Sequence, residues 1–381
     1  MDLCKELKQL KSFVHVSTAY AYCQQDQAEE KVYDMKVSPN RMLELAEWLD
    51  CESLDTVKES VFEGRPNTYT FTKALAEQYI RENRGGLPVA IARPSIVTAT
   101  WKGAAPGWID SYNGPGGMVL LGALGIARTM RFKPNCTSDL IPVDIVVNAL
   151  ISIGWYTAQT STTNLKIYNI STGTTNPITW YDYLKFSRDE AVRSPSLRTV
   201  RPPASVVCGQ GASKMSHFLT RWISEVLFAY IMDFILILAG KKPMMVNMVK
   251  RMHHALSLLH YFCQRSWSFP CNNLTSLIDH MRQTSPADAG RFYMDVREIE
   301  WRDYISQCYM GARRYLLKES DSTIADARRR MTRIKLVYYS GLFALFTILL
   351  YALYVLPFHS ITSFAGSAAT STLRSVCSRV S

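Results

Sequence analysis

The spacing of apolar residues divides the chain into an α/β part and a helical part. Before residue 180, short β-branched runs alternate with segments of helical periodicity. Because strands that alternate with helices form parallel sheets with crossover connections, this order predicts an α/β fold. The strand-like runs are FVHVST (13–18), PVAIARPSIV (88–97) and KIYNIST (166–172), and the helical segments include TKALAEQYIREN (72–83) and VDIVVNALISIGW (143–155).

From about residue 206 to 320 the pattern becomes helical. Amphipathic segments such as VNMVKRMHHALSLLHYF (246–262) dominate, and no convincing strand is present. We therefore expect an α/β domain over 1–205 and a mainly helical domain over 206–320. Between Thr18 and Tyr69 we also expect an insertion with a helix at 40–50, which is either a lid or a surface excursion.

The longest uncharged apolar segment is residues 336–357. At about 1.5 Å per residue, a helix of this length crosses a bilayer core of about 30 Å, so the segment predicts a transmembrane helix followed by a short polar tail over 358–381. Basic residues are concentrated before it, which places the bulk of the protein on the cytosolic side. The alternative is a buried core helix, which would usually carry a polar stripe. The basic residues are Arg328, Arg329, Arg330, Arg333 and Lys335 before the segment, and Arg374 and Arg379 after it.

A second apolar stretch, residues 222–238, contains Glu225 and Asp233. Two acids in the middle of such a stretch favour an amphipathic or in-plane helix over a spanning one.

Composition narrows the classes of function. The net charge of +11 could indicate a nucleic-acid partner, but the basic residues form no long run with interleaved aromatics, so we expect none. Nine cysteines show no C-x-x-C pair and no metal-ligand spacing, which argues against disulfides and a metal site. His253, His254 and His260 lie close together, but no carboxylate lies at ligand spacing from them, so they do not change this expectation.

The candidate chemistry is carried by Tyr69 and Lys73 in the segment YTFTK. Residues four apart share a helical face, so the ammonium can lie near the phenol, favour its ionised form and make it a general acid. Tyr181 and Lys185 have the same spacing. Context favours the first pair, because Ser17 and Thr18 end a strand before it, whereas we expect no comparable hydroxyl-bearing strand before Tyr181.

Several blocks resemble the alcohol-forming fatty acyl-CoA reductases, which are extended short-chain dehydrogenases with a Rossmann-like domain. The similarity runs from about residue 11 to the apolar segment. The blocks are FVHVSTAY (13–20), RPNTYTFTKALAE (65–77), ARPSIV (92–97), AYIMDFILILAGKKPMMVNMVKRMHHAL (229–256), SWSFPCNNL, and FYMDVREIEWRDYISQCYMGARRYLLKE (292–319).

The resemblance implies a two-step reduction of long-chain fatty acyl-CoA, first to the aldehyde and then to the primary alcohol, with NADPH consumed in each step. By the family pattern, Thr18 holds the carbonyl oxygen, Tyr69 donates the proton, and Lys73 binds the nicotinamide ribose. Ser17 is the adjacent alternative to Thr18. The loop of Pro94, Ser95, Ile96 and Val97 matches the one that passes beside the nicotinamide through backbone contacts. The partners implied are fatty acyl-CoA and membrane lipid, at the endoplasmic reticulum or the peroxisome.

The sequence departs from the family pattern in its glycines. The family begins with a strand and a G-x-x-G-x-x-G type turn that binds the NADPH pyrophosphate, and we expect these first strands to be lacking here. The stretch Gly114–Gly117 does not substitute for the turn, because it has Val119 at a required glycine and is not expected to follow a strand and open a helix. Two alternatives remain: an inactive membrane-anchored interaction module, and another extended short-chain dehydrogenase such as a sterol dehydrogenase or sugar epimerase.

Overall fold

A computed structural model describes residues 1–160, 164–203 and 214–377, with side chains described for all of these except 214–216 and 352–377. The described strands are β1 (Phe13–Val16), β2 (Val89–Pro94), β3 (Ile96–Thr98), β4 (Leu140–Pro142) and β5 (Lys166–Ile170). The helices of the first part are α1 (Asp2–Glu6), α2 (Pro39–Trp48), α3 (Cys51–Phe62), α4 (Thr68–Asn83), α5 (Pro115–Ala123), α6 (Val143–Thr160) and α7 (Trp180–Arg193).

The remaining described helices follow without a further strand among the residues described. They are α8 (Lys214–Thr220), a π-helical turn (Arg221–Leu227), α9 (Phe228–Leu238), α10 (Met245–Leu259), α11 (Asn272–Thr284), α12 (Pro286–Arg291), α13 (Trp301–Gly311) and α14 (Ile324–Cys377), with a second π-helical turn (Ala312–Leu316) and two short 3₁₀ turns (Val296–Glu298 and Asp321–Thr323) between them. The expectation of an α/β part followed by a helical part is confirmed.

The strands form two parallel sheets. The larger has the order β1-β2-β5, with Phe13 opposite Val89 and Ile91 opposite Ile167. The smaller pairs β3 with β4, from Ile96 opposite Leu140. Helices α4 and α6 connect the strands as crossovers.

The run 88–97, expected as one strand, is divided between the two sheets. After Pro94 the chain changes partners, because the Ser95 amide donates to Ile170 O at 3.0 Å and the Ile96 amide donates to Asp139 O at 3.0 Å. The break therefore falls inside the segment that was expected to pass beside the nicotinamide.

The helical part shares one hydrophobic core with the α/β part. Ala90 and Leu140 from the strands are buried in the same cluster as Leu277 and Tyr304 from α11 and α13. A Cβ on Gly311 of α13 would overlap the carbonyl oxygen of Gly107, so these glycines allow α13 to approach the loop after β3 closely. The predicted boundary at 205/206 lies outside the described residues and stays a prediction.

Helix α14 contains a stretch long and apolar enough to cross a membrane. The candidate span is Asp321–Tyr351, and none of its apolar window is buried, which does not support the alternative of a core helix. The backbone stays helical to Cys377, whereas the side chains of 352–357 and of the expected tail lie outside the described part.

A buried ion pair joins helix α4 to strand β2. Arg93 donates from Nε to Glu77 Oε1 at 2.9 Å and from Nη2 to Glu77 Oε2 at 2.6 Å, and neither side chain is exposed. Arg93 also donates to the carbonyl oxygens of Glu29 and Lys31 at 2.9 and 2.8 Å, and its guanidinium lies 4.9 Å from the centroid of the Tyr22 ring. Four of the five N–H groups of the guanidinium therefore donate to acceptors within the protein.

We expect Glu77→Gln to destabilise the fold strongly, because it leaves the Arg93 charge buried without its counter-charge. Removing one partner of a buried pair typically costs about 3–5 kcal/mol. Urea unfolding of the full chain in detergent measures the effect. The matched control is Glu298→Gln, which breaks an exposed pair with Lys102 and should leave the unfolding midpoint unchanged. Equal midpoints for Glu77→Gln and wild type would contradict the prediction.

Candidate active site

Two hydroxyls stand at the carboxyl end of β1. Ser17 continues the strand, with its amide donating to Ala92 O at 2.7 Å, and its buried Oγ has no hydrogen-bond partner among the described residues. Thr18 Oγ1 accepts from the Tyr20 amide at 3.3 Å, which caps a short 3₁₀ helix. The same oxygen donates to Pro94 O at 3.5 Å, the long limit of a hydrogen bond, so the Thr18 proton remains able to serve a ligand.

Helix α4 carries Tyr69 in its first turn and Lys73 one turn later. It begins at Asn67, whose Oδ1 accepts from the Thr70 amide at 2.9 Å, as expected of an Asn N-cap. Tyr69 in the first turn is 54% exposed and therefore open to a ligand. Lys73 Nζ donates to Val16 O at 2.9 Å, so its ammonium is held against the end of β1.

The 3₁₀ helix Ala19–Tyr22 fixes the position of these groups relative to each other. Arg65, just before α4, donates from Nε to Ala21 O at 3.0 Å. On the other side, Tyr20 makes edge-to-face contacts with Trp267 and Phe269, at centroid distances of 5.3 and 5.2 Å. The helical part of the chain thus packs directly behind Thr18.

The loop after β2 lies across from Thr18. Pro94 supplies the carbonyl that faces the Thr18 hydroxyl, while Ser95 is buried and its Oγ has no hydrogen-bond partner in the described part of the chain. Ile96 packs in the core, and Val97 is 43% exposed. Thr18 and Pro94 are therefore in direct contact, whereas the roles assigned to the site residues stay predictions.

The second Tyr/Lys pair has a different setting. Tyr181 is 43% exposed on α7, with Lys185 Nζ 5.9 Å from its ring. The expectation that no hydroxyl-bearing strand precedes it was wrong, since Ser171 and Thr172 follow β5. Both hydroxyls already donate hydrogen bonds within the protein, Ser171 to Asp139 Oδ2 at 2.6 Å and Thr172 to Leu140 O at 2.9 Å.

Gly114 opens a helix, as the N-cap of α5, but it follows a loop rather than a strand, so the stretch does not form the strand, turn and helix that the fingerprint requires. One expectation about the histidines needs correction. His253 does have a carboxylate partner, because its Nε2 lies 2.7 Å from Glu225 Oε2. No group of three or more potential metal ligands occurs among the described residues.

The segment expected as a helix at 40–50 forms α2 and is largely exposed.

Sequence reasoning missed His15 and the Glu77–Arg93 pair. His15 lies on β1 two residues before Ser17 and hence on the same face of the strand. Burial lowers its pKa below the ordinary value; the Glu77 carboxylate opposes this shift, and the Lys73 ammonium adds to it. The sequence does offer one indication of the pair. Glu77 lies one helical turn after Lys73, on the side of the helix that also carries Tyr69.

The residues at this edge fit the nicotinamide end of a dinucleotide. Buried hydroxyls without partners, such as those of Ser17 and Ser95, mark places that a ligand can complete. Lys73 Nζ is held at the end of β1, and Tyr69, one helical turn earlier on α4, is exposed. When bound, a reduced nicotinamide would supply hydride at this position.

We expect the His15→Gln variant to lose less folding stability in mild acid than the wild type does. The pKa of His15 is lowered in the folded state, so the neutral ring contributes its full share of the folding stability above the ordinary pKa of about 6.5. That share is lost as the pH falls below this ordinary value. Urea midpoints at about pH 7.5 and 5.5 measure the loss. His254→Gln, at an exposed position on α10, should behave as wild type. A loss in His15→Gln as large as in wild type would contradict the argument.

Comparison with protein families finds two matches. A family model described as "Male sterility protein" matches residues 1–150, and a second model with the same description matches residues 224–319. The first covers most of the α/β part, up to the middle of α6, and the second covers most of the helical part.

Curated relatives match over nearly the whole chain. "Fatty acyl-CoA reductase 1" of Rattus norvegicus is 36% identical over 353 residues, which cover 93% of this chain and 67% of the relative. The protein of the same name from Gallus gallus is 35% identical over 358 residues, covering 93% and 68%. "Fatty acyl-CoA reductase 2" of Mus musculus is 35% identical over 350 residues, covering 91% and 66%. The chain thus spans about two thirds of the length of these relatives.

Proposed function

Because the chain belongs to the fatty acyl-CoA reductase family of NAD(P)-dependent oxidoreductases, we propose that it reduces long-chain fatty acyl-CoA to primary fatty alcohol through an aldehyde, with NADPH as the reductant. The observation that carries the proposal is the convergence of Thr18, Lys73 and Pro94 at one end of the sheet. Thr18 Oγ1 contacts Pro94 O, and Lys73 Nζ contacts Val16 O two residues before Thr18.

Each residue has a defined task in this proposal. Thr18 donates a hydrogen bond to the carbonyl oxygen, using the proton that its long contact with Pro94 O holds only weakly. Tyr69 gives its phenolic proton to that oxygen as negative charge develops there, which is general acid catalysis. Lys73 binds the ribose hydroxyls of the nicotinamide from its position at the end of β1. Ser17 is the alternative donor, since its Oγ has no partner among the described residues.

We expect Tyr69→Phe to abolish most of the alcohol formation, by about 10²–10⁴-fold, because it removes the proton donor and leaves the helix intact. The measurement is alcohol and aldehyde formed from palmitoyl-CoA and NADPH by the full chain in detergent. Tyr181→Phe is the matched control, since it alters the other Tyr/Lys pair, and should retain wild-type turnover. The variants Thr18→Val and Ser17→Ala identify which of the two hydroxyls donates a hydrogen bond to the substrate carbonyl. Equal turnover of Tyr69→Phe and wild type would reject this mechanism, and an inactive wild type would favour an interaction module.

We place the enzyme on the membrane through α14, with its bulk on the cytosolic side of the endoplasmic reticulum or the peroxisome. The π-helical turn and α9 add a second apolar surface. Asp233 is turned inward and accepts from the amides of Met244 and Met245, both at 2.8 Å. The rest of α9 is largely exposed and apolar, and its exposed large side chains are Tyr230, Ile231, Phe234, Ile235, Ile237 and Leu238. Such a one-sided helix lies well in the plane of a lipid interface.

The contributions of α14 and α9 to membrane binding can be separated by mutation. Leu345→Arg with Phe346→Arg places two charges in the candidate span, each costing about 2.5–3.5 kcal/mol, so the doubly changed chain should be released by alkaline carbonate where wild type is not. At neutral pH we expect it still to bind liposomes through α9. Adding Phe234→Glu should abolish that binding, whereas adding Trp48→Glu, at a 90% exposed position on α2, should not. Equal effects of the two glutamates would exclude α9 as a lipid contact.

A further inference from the structure

Two apolar cavities lie next to each other, and the first of them borders Val97 of β3. It lies between α5, α7 and α13, and Val97, Thr98, Tyr183, Tyr304 and Ile305 are among its walls. The walls of the second include Met118, Gly122, Leu184 and Leu256. In both, apolar atoms form most of the exposed lining.

The cavities adjoin each other. Val119 of α5 and Ser187 of α7 line both, so the two spaces meet at these side chains. The Ser187 hydroxyl is engaged within the helix, because its Oγ donates to Tyr183 O at 2.7 Å. Val119 therefore lies at the junction of a path that begins at Val97, three residues after Pro94.

The far end of the path lies at the base of the candidate membrane span. Arg128 lines the second cavity and donates from Nη2 to the hydroxyl of Tyr338, on α14, at 3.0 Å. The first cavity borders Val97, and the second borders the point where α14 leaves the folded part. A molecule that filled both would extend from the reaction centre toward the membrane.

We infer that these two cavities form the channel for the acyl chain of the substrate, with Val119 and Gly122 setting how long a chain it accepts. The inference rests on the proposed function, because it assigns the apolar half of the same substrate. The walls fit an alkyl chain, since aromatic and aliphatic side chains dominate them and burying methylene groups among them is favourable. The thioester would remain beside Thr18 and Tyr69, outside the first cavity.

Gly122 offers a direct test. It lies near the end of α5, and a Cβ built on it meets no atom within 4 Å, so a larger side chain would enter the second cavity without displacing the backbone. Helical glycine is also a poor helix former, so its replacement should not weaken α5. Val119→Ala changes the channel in the opposite sense, by widening the junction.

The test compares palmitoyl-CoA with octanoyl-CoA, in both NADPH-dependent turnover and displacement of a fluorescent polyene acyl-CoA. We expect Gly122→Phe to lower kcat/KM and affinity for palmitoyl-CoA by at least about tenfold while sparing octanoyl-CoA, because loss of even one buried methylene is worth about 10–200-fold. Val119→Ala should shift the preference toward longer chains. Gly290→Phe is the control, since Gly290 is exposed on α12, also has open space around it and lines neither cavity.

The outcomes distinguish the two proposals. If wild type binds the fluorescent acyl-CoA but turns over no substrate, the proposed function fails while the binding series still tests the channel. If wild type is active and both channel variants keep the wild-type ratio of palmitoyl-CoA to octanoyl-CoA, the channel is overturned and the proposed function stands. Should Gly122→Phe fail to fold, Val119→Ala alone decides, and an unchanged ratio in that variant overturns the channel.

Discussion

The buried pair between Glu77 and Arg93 is the constraint on which the candidate site depends. Tyr69, Lys73 and Glu77 follow one another at intervals of four on one face of α4, so fixing Glu77 fixes the rotation of the whole helix. Burying two charges is costly, and here the cost is offset by bidentate geometry, two carbonyl acceptors and the Tyr22 ring. The pair thereby sets the distance of α4 from β2 and from the loop that follows it.

Once α4 is fixed, the other groups of the site are held by short contacts. Lys73 reaches the end of β1, and the two residues that follow this strand, Ser17 and Thr18, carry the hydroxyls. The change of partner at Ser95 then directs the chain away from the large sheet, which leaves Val97 exposed beside the first cavity. A site held in this way needs little rearrangement to bind a ligand, which is how preorganised donors contribute to catalysis.

The sequence reveals those features that are local. The period of α4, its Asn67 cap and the spacing of Tyr69 and Lys73 all lie within one short segment, so they could be predicted. The partner of Glu77 could not, because Arg93 reaches it only through the packing of a helix on a strand. The break at Ser95 was missed for a related reason: Pro94 and Ile96 are both strand-like, and only pairing with β4 and β5 separates them.

Glu225 and Asp233 illustrate the same limit in the helical part. In the sequence they are two charges within an apolar stretch, which indicates only that the stretch does not cross a bilayer. In the structure both carboxylates accept hydrogen bonds from the protein itself. Glu225 accepts from the amides of Arg128 and Thr129 at 2.6 and 2.9 Å, and Asp233 caps α10. Because the acids turn inward, the outer face of α9 is left without charge. The charges that argue against a spanning helix are therefore what allows a one-sided apolar surface to form beside Arg128, where the second cavity meets the base of α14.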